Sequence, residues 1–528
     1  MTENSSKGRI SIAAVLGLLL ILVLAIINFR LGADPALRFL RRQTGFHQMT
    51  EDISSAYISD SFQPKNTCLT LNGLFGRISG RRVYNDVTLM KNGMLTHGTA
   101  SRQDMADDAE KIISLASFVR EQSGTPFLLV IPPYKVPLEG DLLPAGRKNF
   151  RNDNYSELIQ RLGDAGFTSL DLRQFFSANQ TLMEKYMYRT DHHWNNDAAI
   201  EAFSYVMDSL ENLMGTKLDK TYTNLNLWER HELQDYWIGS HGKRVGPLFA
   251  GTDSLIWYTP KFETSMSYAY NRKEKQFGFL KGDYTSIYVF DKKFTRGDWY
   301  EVNGSQVYMD KLFPLVIHRN LNAPNKKRIL MIGDSYSRGM QTFLATEFSE
   351  VHMIDTRYVS GFTVAQYAAW TKPDALLILT STLHDEFIID FGAETETAWL
   401  NAHPGRTALI RNEEFTVEPK NSKENSVELP LSLQPGETYH LSFSSVQTSG
   451  KPTDCVTAAL YEKASGTTVW TAMFDIEYGN KTGSFTCGFA VPADKPEGEY
   501  VILLCPGIWK KTPETQTVFS GVSLEQEV

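Results

Sequence analysis

Short apolar runs alternate with amphipathic helical stretches in two blocks of this chain, and that alternation limits the fold more than any other feature. In the first block Met105, Ile112, Leu115, Ala116 and Val119 fall near one face of a helix. Phe127-Leu128-Leu129-Val130-Ile131 follows as a wholly apolar strand and stops at Pro132-Pro133. Tyr155, Leu158, Ile159 and Leu162 stripe a second helix, 168–172 reads as a strand and 196–210 as a helix. The second block repeats the pattern: a strand over 328–332, a helix over 336–348 with Met340, Phe343 and Leu344 inward, and strands over 351–354 and 375–380 around a helix at 363–370. Strands of this kind predict an α/β fold with a largely parallel sheet covered by helices on both faces. Residues 215–320 break the pattern. They are rich in Tyr, Trp, Gly and Lys without helical period and read as an irregular, strand-containing insertion.

A chain of 528 residues is too long for one ordinary domain. After about residue 400 the character becomes all-β: alternating segments at 439–443, 469–474 and 500–504 lie between Pro-Gly, Ser-Gly and Gly-Asn-Lys turns. This predicts a β-sandwich or jelly roll over 399–528. At the other end, 10–29 is an uncharged apolar run. At about 1.5 Å per residue it is long enough for a hydrocarbon core of about 30 Å. The expected organisation is therefore a cytoplasmic tail over 1–9 and a transmembrane anchor over 10–29. A polar, partly helical stalk over 30–60 and an α/β domain over 61–398 follow, before the sandwich. A cleaved signal peptide is the competing reading of the first segment. Residues 71–98, rich in Gly, Asn and Arg, read as turns around short strands. The anchored arrangement places the chain at the cell membrane as a single-pass protein with its bulk outside. The net charge of −8 argues against nucleic-acid binding. Of four cysteines, Cys455, Cys487 and Cys505 lie near the C-terminus, where one bridge is open; Cys68 stands apart.

Two runs carry chemistry. Thr190-Asp191-His192-His193-Trp194-Asn195 supplies a carboxylate and an imidazole two residues apart. Gly333-Asp334-Ser335-Tyr336-Ser337 places a serine between a strand and a helix, at the carboxyl edge of the sheet where α/β proteins build their sites. Together they predict a triad in which Ser335 is the nucleophile, His193 the base and Asp191 its orienter. Backbone N–H groups at the helix start would stabilise an oxyanion. In the blander alternative Ser335 caps the helix and the histidines sit incidentally in a turn. His192 should point away from the site. Asp334 is a structural acceptor or a helix cap. Trp194 is a wall beside the imidazole or a stacking platform for sugar. Tyr336, Arg357 and Tyr358 join it as candidate substrate-binding residues, with a plain surface ion pair as the alternative for Arg357. Lys135, after the Pro132-Pro133 turn, would line the same cleft. Gly239-Ser240-His241-Gly242-Lys243-Arg244 lacks the phosphate-loop pattern and reads as a loop over the cleft without a nucleotide. These residues call for no cofactor and no metal.

The Asp-x-His-Trp run followed by Gly-Asp-Ser resembles the SGNH-hydrolase-like proteins of the alginate O-acetylase and DHHW families, over roughly residues 55–395. The resemblance implies a circularly permuted hydrolase fold, since the Asp-His pair precedes the serine. It also implies O-acetylation of an exopolysaccharide or cell-wall glycan outside the membrane, with Ser335 as the acyl carrier. A membrane-bound O-acyltransferase would be the donor partner and a polysaccharide the acceptor. The C-terminal segment resembles the carbohydrate-binding-module-like domain attached to some of these proteins. The family's asparagine block is not evident after 375–380, where Ser381-Thr382-Leu383 stands, so the second oxyanion donor is unassigned. The same triad would serve an acetyl-esterase. A non-catalytic glycan-binding or assembly protein is the third reading. A teichoic-acid D-alanyl transfer protein would carry the unpermuted motif order.

Overall fold

The computed structural model describes residues 28–528 except 44, 59–64, 98–99, 273–275, 289–298, 309–312, 360, 382–388, 419–425, 451–452, 476–484, 496 and 509–514, together with 18–19, 21–23 and 25–26. An eight-stranded sheet forms its centre. In chain order its strands are β1 (Phe127–Ile131), β2 (Thr168–Asp171), β3 (Met266–Arg272), β4 (Gln276–Gly282), β5 (Leu315–Asn320), β6 (Asn325–Gly333), β7 (Phe348–Ile354) and β8 (Ala375–Leu379). In space they run β2-β1-β8-β6-β7-β5-β3-β4. The first five of that row pair in parallel, as the alternation predicts. The last three pair antiparallel and extend the sheet. The insertion is thus less irregular than its sequence reads, since β3, β4 and β5 all come from it.

Every residue of β1 is buried, which is why the strand reads as an unbroken apolar run. Its side chains alternate between two cores. Leu128 and Val130 join Ile329, Met331 and Leu377 beneath helix Asn196–Met214 (α3), with Phe203 and Leu210, and helix Ser337–Glu347 (α4), with Met340 and Phe343. Phe127, Leu129 and Ile131 join Leu330, Ile332 and Leu376 on the other face, under helices Ala106–Ser123 (α1) and Arg151–Asp164 (α2). Truncating one such leucine to alanine costs about 2–5 kcal/mol. Helix α3 starts where the Asp-x-His-Trp run ends because the Asn195 side chain accepts the Ala198 N–H, and it stops at Gly215, in the left-handed region.

The C-terminal segment folds as two four-stranded sheets, with Leu441, Phe443, Leu460, Phe489, Ile502 and Phe519 among the side chains packed between them. Ala269 and Phe279 of the central sheet pack against Cys455 and Met473 of this sandwich. A cavity of about 350 Å³ lies between the two units, lined by Arg319, Glu350, Trp370 and Trp470 among others. No disulfide joins Cys68, Cys455, Cys487 and Cys505, all among the described residues, so the open bridge is not formed.

Two expectations need correction. Residues 71–78 belong to a helix, Lys65–Ile78, rather than to turns. Its Gly73 serves a close approach: a Cβ there would lie 2.1 Å from the Val245 carbonyl oxygen. The membrane anchor over 10–29, and with it the single-pass localisation, is not supported. Among the described residues no helix is long and apolar enough to cross a membrane. The helix Phe29–Leu40 has 12 residues, about 18 Å of rise, and carries Arg30, Asp34 and Arg38. Residues 1–17, 20, 24 and 27 lie outside the described residues.

Candidate active site

Ser335 follows the end of β6 at Gly333 and precedes α4. The turn is held by its neighbour. Asp334 Oδ1 accepts the Tyr336 N–H at 2.9 Å, and Oδ2 accepts from Thr380 Oγ1, Ser381 N and Ser381 Oγ at 2.9–3.0 Å. Asp334 therefore ties the turn to the end of β8 through Thr380 and Ser381. Helix α4 has Tyr336 at its N-cap and no side-chain cap. The Ser335 hydroxyl is consequently not spent on capping. It lies 2.7 Å from His193 Nε2.

His193 Nδ1 lies 2.6 Å from Asp191 Oδ1, completing a continuous Ser335–His193–Asp191 line. His193 and Asp191 are 5% and 1% exposed, so water does not compete for these contacts. Asp191 Oδ1 also accepts the His193 N–H, and Oδ2 the Ser240 N–H at 2.7 Å. Burial pushes the Asp191 carboxyl up, but His193, His192 and these donors outweigh it and hold the group well below the usual carboxylate range. It is a carboxylate at neutral pH and can orient an imidazolium.

The loop carrying Asp191 is fixed from three directions. Asp253 accepts from Arg189 N, Thr190 N and Thr190 Oγ1 at 2.5–2.7 Å. Lys135, 1% exposed, donates to the Arg189 and Asp191 carbonyls, each at 2.8 Å. Gly239 donates to Thr190 Oγ1 and sits so close that a Cβ would lie 2.2 Å from that of Asp191. Lys135 is thus beneath the site rather than along its cleft. The 239–244 turn braces the triad rather than covering it. Ser240 and Asp253 carry no local signal: each lies in the insertion, Ser240 49 residues along the chain from Asp191 and Asp253 63 and 64 residues from Thr190 and Arg189.

Trp194 and Tyr336 are 5% and 2% exposed, which leaves no open ring face for a sugar. The Trp194 indole donates to the Tyr336 carbonyl at 3.0 Å, and the Tyr336 ring lies 4.9 Å from that of His193. Both are walls of the imidazole pocket. Arg357 makes a two-point pair with Asp355 at 2.9 and 2.7 Å, the plain ion-pair reading, and its guanidinium lies over the exposed Tyr358 ring. His192 does not leave the site: its ring lies 3.9 Å from that of His193, and its Nδ1 is 2.8 Å from Ser240 Oγ.

Asp191, His192 and His193 offer ligand atoms within 4.8 Å of one another, the one such group found among the described residues. Those atoms are already engaged with each other and with Ser240, so an ion there would have to break the 2.6 Å relay contact.

An α/β sheet with serine, histidine and aspartate converging at its carboxyl edge has the arrangement of SGNH-hydrolase-like proteins. Residues 92–235, which include Asp191, His193 and Trp194 and stop short of Ser335, match the family described as SGNH hydrolase-like domain, acetyltransferase AlgX. The resemblance carried by the Asp-x-His-Trp run is thereby shown for that segment. Among solved structures the chain is similar to Bacillus cereus PatB1 with a sulfonyl adduct (20% identity, 56% of this chain and 93% of that one, TM-score 0.45). It is also similar to a DHHW family protein from Eubacterium siraeum (15%, 56% and 91%, TM-score 0.41) and to Pseudomonas aeruginosa AlgX (13%, 84% and 94%, TM-score 0.33). No curated protein matches the chain.

Proposed function

We propose that this chain transfers acetyl groups to hydroxyls of an exopolysaccharide or cell-wall glycan through an ester on Ser335. The observation that carries the reading is the unbroken hydrogen-bond line from Ser335 Oγ through His193 to Asp191, at 2.7 and 2.6 Å. The family match over 92–235 supplies the acetyl group as cargo. Ser335 Oγ attacks the acyl carbonyl carbon while its proton passes to His193 Nε2. The tetrahedral intermediate collapses, the leaving group takes that proton, and acyl-Ser335 remains. A glycan hydroxyl then gives its proton to His193 Nε2 and attacks the ester carbon. The Ser335 Oγ–carbon bond breaks, and Oγ recovers the proton. The Tyr336 and Ser337 N–H groups are committed to Asp334, so oxyanion donation from this turn falls to the Ser335 N–H.

In this proposal the α/β unit is a permuted SGNH domain and the sandwich a carbohydrate-binding appendage. A membrane-bound O-acyltransferase would act as the donor partner. The test has two arms. Wild type should be labelled at Ser335 by a sulfonyl fluoride, and Ser335→Ala should not. Turnover of 4-nitrophenyl acetate should divide between acetate and an acetylated oligosaccharide when acceptor is added. Acetate alone with every acceptor would leave an esterase, and no labelling would remove covalent catalysis.

A further inference from the structure

The transfer step has a requirement that the triad alone does not meet. The acceptor oxygen must aim its proton at His193 Nε2 and its lone pair at the acyl carbon, and water must not take its place. A group beside Nε2 that holds the acceptor oxygen would satisfy this. Three observations single out one side chain. The His192 side chain is 38% exposed, whereas those of Asp191 and His193 are 1% and 6% exposed, so it is the imidazole of this run that faces incoming molecules. Its ring lies 3.9 Å from that of His193 at 37°, so the two imidazoles adjoin. Its Nδ1 is 2.8 Å from Ser240 Oγ, whose own N–H holds Asp191, so the ring is braced by the residue that braces the triad.

We infer that His192 is an acceptor-positioning residue, with its Nε2–H donating to the oxygen of the glycan hydroxyl that His193 deprotonates. The inference rests on the transferase reading. With the Ser240 hydroxyl donating to Nδ1, the tautomer carries its hydrogen on Nε2, and this is the form the inference requires. The protein packed around its inner side and the adjoining His193 ring hold His192 below the ordinary imidazole range, although its outer side is open, so it donates without adding a positive charge beside the base. The acceptor oxygen then has one lone pair occupied by His192, its proton on the way to His193 and its remaining lone pair free for the ester carbon. No proton leaves His192, so the atom balance of the transfer is unchanged.

The experiment measures the ratio of acetylated oligosaccharide to acetate released by the full chain. The donor is 4-nitrophenyl acetate, and cellopentaose, chitopentaose and pentamannuronate are the acceptors. His192→Ala should lower that ratio by on the order of tenfold, the value of one net hydrogen bond, and raise the acceptor KM. His192→Gln keeps an N–H donor and should recover most of the loss. Ser240→Ala frees the ring and should lower the ratio by less. A general structural lesion would lower acetate and transfer together and leave the ratio unmoved. An unchanged ratio in His192→Ala, or a fall that glutamine does not restore, overturns the inference while the transferase reading stands. Acetate alone from the wild type with all three acceptors removes both.

Discussion

Asp191→Asn probes the relay at its buried end, and the outcome follows from a count of donors. The carboxylate accepts three hydrogen bonds, two on Oδ1 from His193 Nδ1 and N, and one on Oδ2 from Ser240 N. An amide of the same shape keeps one acceptor and brings two donors. With its oxygen toward His193, the amino group opposes the Ser240 N–H in a site 1% exposed, and no donor on that side finds a partner. With its oxygen toward Ser240, the amino group donates to Nδ1 and only the His193 N–H loses its acceptor. The second arrangement strands fewer donors, each worth about 1–3 kcal/mol, and so prevails. It also drives the imidazole proton to Nε2, where it can no longer receive the Ser335 proton. Turnover should fall by about 10⁴, roughly 5.5 kcal/mol of barrier, with folding nearly intact. Single-turnover release of 4-nitrophenolate measures it. A rate within tenfold of wild type would refute the relay.

Other expectations follow from the braces around the site. Lys135 is held down to about 7, first by burial, with Asp253 and Asp191 opposing that fall. Between pH 7 and its unfolded value of about 10.4 the unfolded chain binds more protons at this position, so stability rises with pH. The gain from pH 7 to 9 should be about 2 kcal/mol in wild type and absent in Lys135→Met, read from urea midpoints at each pH. Gly239→Ala forces a Cβ against Asp191 and should cost both melting temperature and esterase rate; an unaltered rate would show the loop gives way. Helix Ala393–Ala402 packs on α1 and runs past the expected boundary at 398/399, so a chain ending at residue 404 is the better test of separable units. It should keep a cooperative melt about 5 °C lower, because Ala269 and Phe279 lose their cover; loss of the cooperative transition would show that the sandwich is integral.

How far the sequence was legible depended on whether a residue's partners were local. Strand β1, helix α3 and the strand–turn–helix around Ser335 were readable because period and caps are local signals. Asp191 and His193 were readable as a pair because they stand two apart. The bracing of that pair was not, because Ser240 and Asp253 come from a segment without period. The three antiparallel strands were legible only as a strand-containing insertion, because β3, β4 and β5 alternate too weakly to be placed one by one. Trp194 was open between a wall and a sugar platform, and Tyr336 was a candidate substrate contact, because sequence gives residue type and not burial; both rings are buried. Cys455, Cys487 and Cys505 show the converse: they lie near one another in sequence, yet no disulfide joins them.

The distances along the chain that separate the site's parts have a kinetic consequence. Ser335 and His193 are 142 residues apart, Asp191 and Ser240 are 49 apart, and Thr190 and Asp253 are 63 apart. Each contact closes a large loop, and the entropy of those closures is lost before the contacts form. Helices such as α1 and α3 need none of them. On dilution from denaturant, far-ultraviolet ellipticity should therefore recover first and hydrolytic activity last, after the insertion has docked. The refolding chain would pass through a stage that is helical, compact and inert.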